Sequence, residues 1–111
     1  MDDEAFRAMA RAARANEIEA GAPGWHYLSF ADDTSFLGGL VIHAFGFMDA
    51  IMQAHLRGLN PGGEVMYAEL PDAAIPPERF RNRLLSKDEV KEMWPDAKSI
   101  REHEEDEAAG R

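Results

Sequence analysis

The segment from Met48 to Gly58 constrains the fold most, because it reads as one amphipathic helix with a definite stop. Met48, Ile51, Met52, His55, Leu56 and Leu59 recur at helical spacing, which leaves Asp49, Gln53 and Arg57 on the opposite side. Such an apolar stripe must be covered by another element. Gly58 suits the left-handed conformation past the last turn, Leu59 can fold back towards Ala54, and Pro61 forbids continuation.

Strand-like segments flank this helix. Trp25 to Phe30 is rich in aromatic residues, Asp32-Asp33-Thr34 is a polar turn, and Ser35 to His43 follows as a second strand. Together they predict a β-hairpin. A two-residue loop would set Leu28 opposite Leu37, and a three-residue loop would set it opposite Gly38. In either register Trp25 and Tyr27 occupy one face and Leu28 and Phe30 the other, so the sheet needs cover on both sides. Gly38-Gly39 inside the second strand points to a bulge or to the close approach of a ring or backbone.

After the helix, Pro61 and Gly62 fit the central positions of a type II turn, and Glu64 to Leu70 reads as a third strand. A strand–helix–strand crossover makes the third strand parallel to the second. Insertion beside the first strand gives the order 2-1-3 with every neighbouring pair antiparallel; the order 1-2-3 is the alternative. The expected class is therefore α+β, a three-stranded antiparallel sheet of β-β-α-β topology packed with one main helix plus short carboxyl-terminal helices.

Pro71 to Pro77 is a proline-punctuated loop, and Pro77 can open a short helix containing Arg79, Phe80, Arg83 and Leu84. Ser86-Lys87-Asp88-Glu89 is a capping box with Leu85 and Val90 at the flanking staple positions. The helix it starts presents Val90, Met93 and Trp94 before Pro95. At the other end, residues 2–20 are good helix formers, but the stripe of Phe6, Met9, Ala10 and Ala13 is thin, so that helix is marginal alone. Gly21 to Gly24 is a flexible joint. The organisation expected is a marginal helix over residues 1–20, one α+β domain over 25–95, and an acidic disordered tail over 96–111. In that tail five of the six residues from Glu102 to Glu107 are acidic.

The 111 residues suit one domain. A net charge of −9 disfavours a nucleic-acid partner. The absence of cysteine excludes disulfides and thiolate chemistry. The Met-Asp-Asp-Glu start is no secretory signal, and the apolar run Phe36 to Phe47 is too short for a bilayer, so a cytoplasmic protein without a membrane partner is expected.

No constellation specifies a chemistry. His26, His43 and His55 are candidate metal ligands, yet the hairpin sets His26 near Gly39 or Leu40 and His43 ~10–13 Å further along. Asp32-Asp33 reads as a turn, and Asn60 to Gly63 follows a helix, at the negative end of its dipole, where an anion is disfavoured. No catalytic, cofactor-binding or metal-binding residue is assigned, and no cofactor. The candidates for partner binding are the Trp25/Tyr27 face and the pair Arg79 and Arg83, in a stretch that also holds Arg81 and Lys87.

The expectation is a non-enzymatic accessory or protein-interaction domain with an unidentified protein partner, a monomer being favoured over a homodimer. One alternative is a small-molecule or anion binder, enzymatic or not, with a pocket near Gly38-Gly39 and the Asn60–Gly63 turn. Another is an acidic regulator acting through Glu102–Glu107.

Overall fold

The computed structural model describes residues 2–95. In chain order the elements are α1 (Asp3–Ala20), β1 (Gly24–Ala31), β2 (Phe36–Ala44), α2 (Phe47–Leu56), β3 (Glu64–Glu69), β4 (Leu84–Leu85) and α3 (Lys87–Met93). Single 3-10 turns at Asp72–Ala74 and Glu78–Phe80 precede β4. The fold is α+β with an antiparallel sheet in the order β3-β1-β2-β4. The order expected for the first three strands is present. The sheet nevertheless has four strands instead of three. Leu84 and Leu85 pair with Leu40 and Gly39, where the sequence suggests a helix. That helix stops after one turn because Asn82 turns to φ 61 and its amide bonds to the Val41 carbonyl at 2.8 Å, which hooks the chain onto β2.

The hairpin register also differs from both expectations. Leu28 lies opposite Leu40, and His26 opposite Ile42. The turn is wider than two or three residues because Oδ1 of Asp32 accepts the amides of Thr34 at 2.9 Å and Ser35 at 2.7 Å. Ala31 then pairs with Phe36 while Phe30 pairs with Gly38, so Leu37 is left over as a bulge.

Each face of the sheet carries its own core. On one, Leu28, Phe30, Leu40, Ile42 and Ala44 pack against Ala50 and Ala54 of α2. Burying each of the larger side chains stabilises by ~1.5–3 kcal/mol. On the other, Val41 packs with Phe80, Leu85 and Met93, and Trp25, Tyr27, Val90 and Trp94 surround them. The carboxyl-terminal segment therefore covers the face that holds Trp25 and Tyr27. The two adjacent glycines make room for this segment on both faces, Gly39 here and Gly38 on the α2 side, where Leu84 packs. A Cβ on Gly38 would stand 2.6 Å from Leu84, and one on Gly39 would stand 2.7 Å from the Tyr27 hydroxyl and 2.9 Å from Val90.

Helix α2 ends as its sequence suggests. The Gly58 amide bonds to the His55 carbonyl at 3.1 Å, the Leu59 amide bonds to Ala54 at 2.8 Å, and Gly58 has φ 70. Its buried face does not follow the expected stripe. Asp49, Ala50 and Ala54 are buried, whereas Leu56 is 68% exposed. The capping box of α3 is present in full: Ser86 Oγ accepts the Glu89 amide and the Glu89 carboxylate accepts the Ser86 amide.

Candidate functional site

Burial of Asp49 explains how α1 docks. The Asp49 carboxylate accepts Arg14 Nε at 2.9 Å on one oxygen, and the Phe45 amide and Gln53 Nε2, each at 2.9 Å, on the other. Burial alone would raise its pKa. The Phe45 amide, the Arg14 guanidinium and the Gln53 amide outweigh burial and hold it below the ordinary carboxylate value. Gly46 at the start of α2 offers no side-chain cap. Glu17 of α1 supplies one instead, accepting the Met48 amide at 3.0 Å and the Asp49 amide at 2.7 Å. Two polar side chains of α1 thus fasten it to the head of α2, and Ala10 is its one fully buried residue.

With Glu17 against Met48 and Phe6 beside His55, the helices run antiparallel. The amino-terminal half of α1 therefore lies along the last turns of α2. Between them is a groove of about 370 Å³, lined by Phe6, Arg7, Ala10, Arg11, Met52 and His55. Its lining combines apolar Phe6, Ala10 and Met52 with the cations Arg7 and Arg11. Phe6 is 55% exposed, and Met9 of α1 and Leu56 of α2 are exposed as well. Arg7 and Arg11 make no ion pair among the described residues, unlike Arg14, Arg79 and Arg83.

The residues singled out in the sequence are not brought together there. Trp25 is half-buried, edge-on to His43 at 5.1 Å and beneath the Arg81 guanidinium at 4.8 Å. Tyr27 meets Trp94 edge to face at 4.8 Å and borders an apolar cleft of about 490 Å³ with Ala68, Leu70, Met93 and Trp94. Burial pushes the Tyr27 hydroxyl up from its ordinary pKa. Arg79 and Arg83 do not share a helix face. Arg79 pairs with Glu92 at 3.2 Å and Arg83 with Glu89 at 2.6 Å, so both are engaged by carboxylates of α3.

The three histidines separate. His26 is buried on the α2 side, with Nε2 donating to the Ala44 carbonyl at 3.0 Å and Nδ1 sharing a hydrogen bond with the Tyr67 hydroxyl at 2.9 Å. His43 lies exposed on the opposite face, and His55 on the groove. Among the described residues no group of three His, Asp or Glu side chains could hold a metal ion. Asp32 and Asn60 both accept amides of their own turns, and Gly38 and Gly39 face side chains of this chain, which fill the space expected for a ligand. No helix among the described residues is long and apolar enough to cross a membrane. The segment Glu102–Glu107 lies outside the described residues.

No protein-family model, curated protein or solved structure matches this chain. Its site must be read from its own geometry. The α1–α2 groove was hidden in the sequence because α1 carries only a thin stripe there. The available signal was Phe6 and Met9 interleaved with Arg7 and Arg11, on a helix with too little apolar area to need them all for docking.

Proposed function

We propose that this protein is a non-enzymatic interaction domain whose docking face is the α1–α2 groove. The observation that carries this reading is a groove in which 55% exposed Phe6 stands with Ala10 and Met52 beside Arg7, Arg11 and His55, while Met9 of α1 and Leu56 of α2 add further exposed apolar surface on the same two helices. Single exposed apolar side chains are ordinary on a protein surface; one set in a groove between two helices that carry further exposed apolar side chains supports an interaction site. The chain as a whole carries −9, so a cationic lining selects against most of its own surface and favours an acidic protein segment with apolar anchors. Phe6 and Met52 would receive the anchors, and the two arginines would take the carboxylates.

A photo-reactive residue placed at Phe6 tests this in the living source cell. It should give discrete protein adducts that disappear in an Arg7→Glu/Arg11→Glu variant, whereas the same probe at exposed Asp33 should give none of them. Identical adducts from the two positions would sink the reading.

A further inference from the structure

The two ends of the sheet are finished differently. At one end β4 is two residues long and runs straight into α3. At the other, β3 has six residues, pairs in unbroken register with β1, and has no proline, bulge or central charge. Edge strands usually carry such devices, because an unblocked edge templates pairing with another strand.

The free edge can be read residue by residue. Trp25 lies opposite Leu70 when the β1–β3 register is extended by one pair, and the Leu70 amide bonds to the Trp25 carbonyl at 2.9 Å. That makes Leu70 face β1, and with it Ala68, Met66 and Glu64, since the direction alternates along an antiparallel strand. Val65, Tyr67 and Glu69 therefore turn their amides and carbonyls outward. None of these outward groups has a backbone partner among the described residues.

We propose that this edge pairs with the same edge of a second copy, antiparallel and centred on Met66, to make one sheet continuous through both copies. A two-fold axis perpendicular to the sheet keeps each face on its own side, so only residues of like facing can stand opposite one another. Glu64 faces the Tyr27 side and Glu69 the His26 side, as their pairing with Ala31 and His26 shows. No two-fold register can therefore oppose these two carboxylates. The charges that would otherwise forbid self-pairing do not meet. Centring on Met66 sets Val65 opposite Tyr67 of the second copy, a β-branched and aromatic pair, and makes these the residues that exchange backbone bonds. It also covers Met66, which is 51% exposed. Centring on Tyr67 would instead set Val65 against a carboxylate, Glu69. The expectation of a monomer rested on the Trp25/Tyr27 face, which this arrangement leaves untouched.

Sedimentation of the full chain tests the proposal, with two variants that leave the β1–β3 bonds in place. Val65→Pro removes an outward amide, and Met66→Lys sets two cations opposite each other. The wild type should sediment as a dimer and both variants as monomers with unchanged circular dichroism. Because the chain has no cysteine, Met66→Cys is a unique thiol. At a non-hydrogen-bonded pair the Cα atoms stand about 4.5 Å apart, within disulfide reach. Mild oxidation should link Met66→Cys into a covalent dimer faster than it links Ala68→Cys. A wild type that stays monomeric at millimolar concentration overturns the proposal, as does a dimer that survives both variants, or faster linkage at position 68. The groove reading is judged separately, since its adducts at Phe6 should persist in Met66→Lys.

Discussion

Arg14 and Asp49, 35 positions apart, meet at 2.9 Å and join the marginal first helix to the head of the second. The contact holds a buried carboxylate in its charged form. Asp49→Ala should destabilise the domain by ~1–3 kcal/mol, because the Phe45 amide loses its acceptor and Arg14 its partner. A urea-melt midpoint equal to that of the wild type would contradict this.

The same carboxylate sets an acid dependence. Its folded pKa lies below the ordinary value of 3.8, so its contribution is present above that value and is lost as pH falls through the folded pKa. The stability gap between wild type and Asp49→Ala should accordingly close below about pH 4. A gap that widens towards acid would reverse the sign.

At alkaline pH the relevant group is Tyr67. Burial, together with the nearby Glu69 and Glu17, pushes its hydroxyl up to about 12. The unfolded chain loses this proton first, so the contribution is intact below pH 10 and declines between there and 12. Ultraviolet titration of the two tyrosines should show Tyr67→Phe deleting the later of two steps.

Ser86→Ala should cost ~1 kcal/mol by removing the acceptor of the Glu89 amide. An unchanged midpoint at unchanged denaturant slope would place the start of α3 elsewhere.

Gly63 has φ 76, and a Cβ there would stand 2.5 Å from the Ala31 carbonyl oxygen. Backbone atoms cannot yield as a flexible side chain does, so Gly63→Ala should cost more than the ~1 kcal/mol expected for Gly58→Ala. Gly58 has a similar φ but open space around it. Equal losses would mean that conformation alone sets the penalty.

Much of the fold was legible because local chemistry and topology agreed. Gly58, Leu59 and Pro61 end α2, Ser86 and Glu89 start α3, and the crossover through α2 places β3 beside β1. What misled was the assumption that a carboxylate faces water. Asp49 is 2% exposed, because Arg14, Phe45 and Gln53 satisfy it from three separate elements or turns, and no periodicity within α2 records that. With Asp49 inside, the stripe rotates and Leu56 is left outside. The register slipped for a similar reason, since four hydrogen-bonding groups gather on one oxygen of Asp32 and widen the turn. The site was less legible than the fold. Arg79 and Arg83 were legible as a candidate pair for a partner, but not the carboxylates that engage them, Glu92 and Glu89 of α3.

The second face of the sheet is closed by residues that are synthesised after all three longer strands. Once β3 has emerged, β1, β2 and α2 can assemble the core around Leu28 and Ile42, but Trp25, Tyr27 and Val41 still lack Phe80, Leu85 and Met93. At ~5–20 residues per second, that side stays bare for roughly one to several seconds of synthesis. During that interval the aromatic face has no lid to fold under, so the order of synthesis, and not only the finished packing, makes the segment after β3 the one that shields Trp25 and Tyr27 from neighbouring chains.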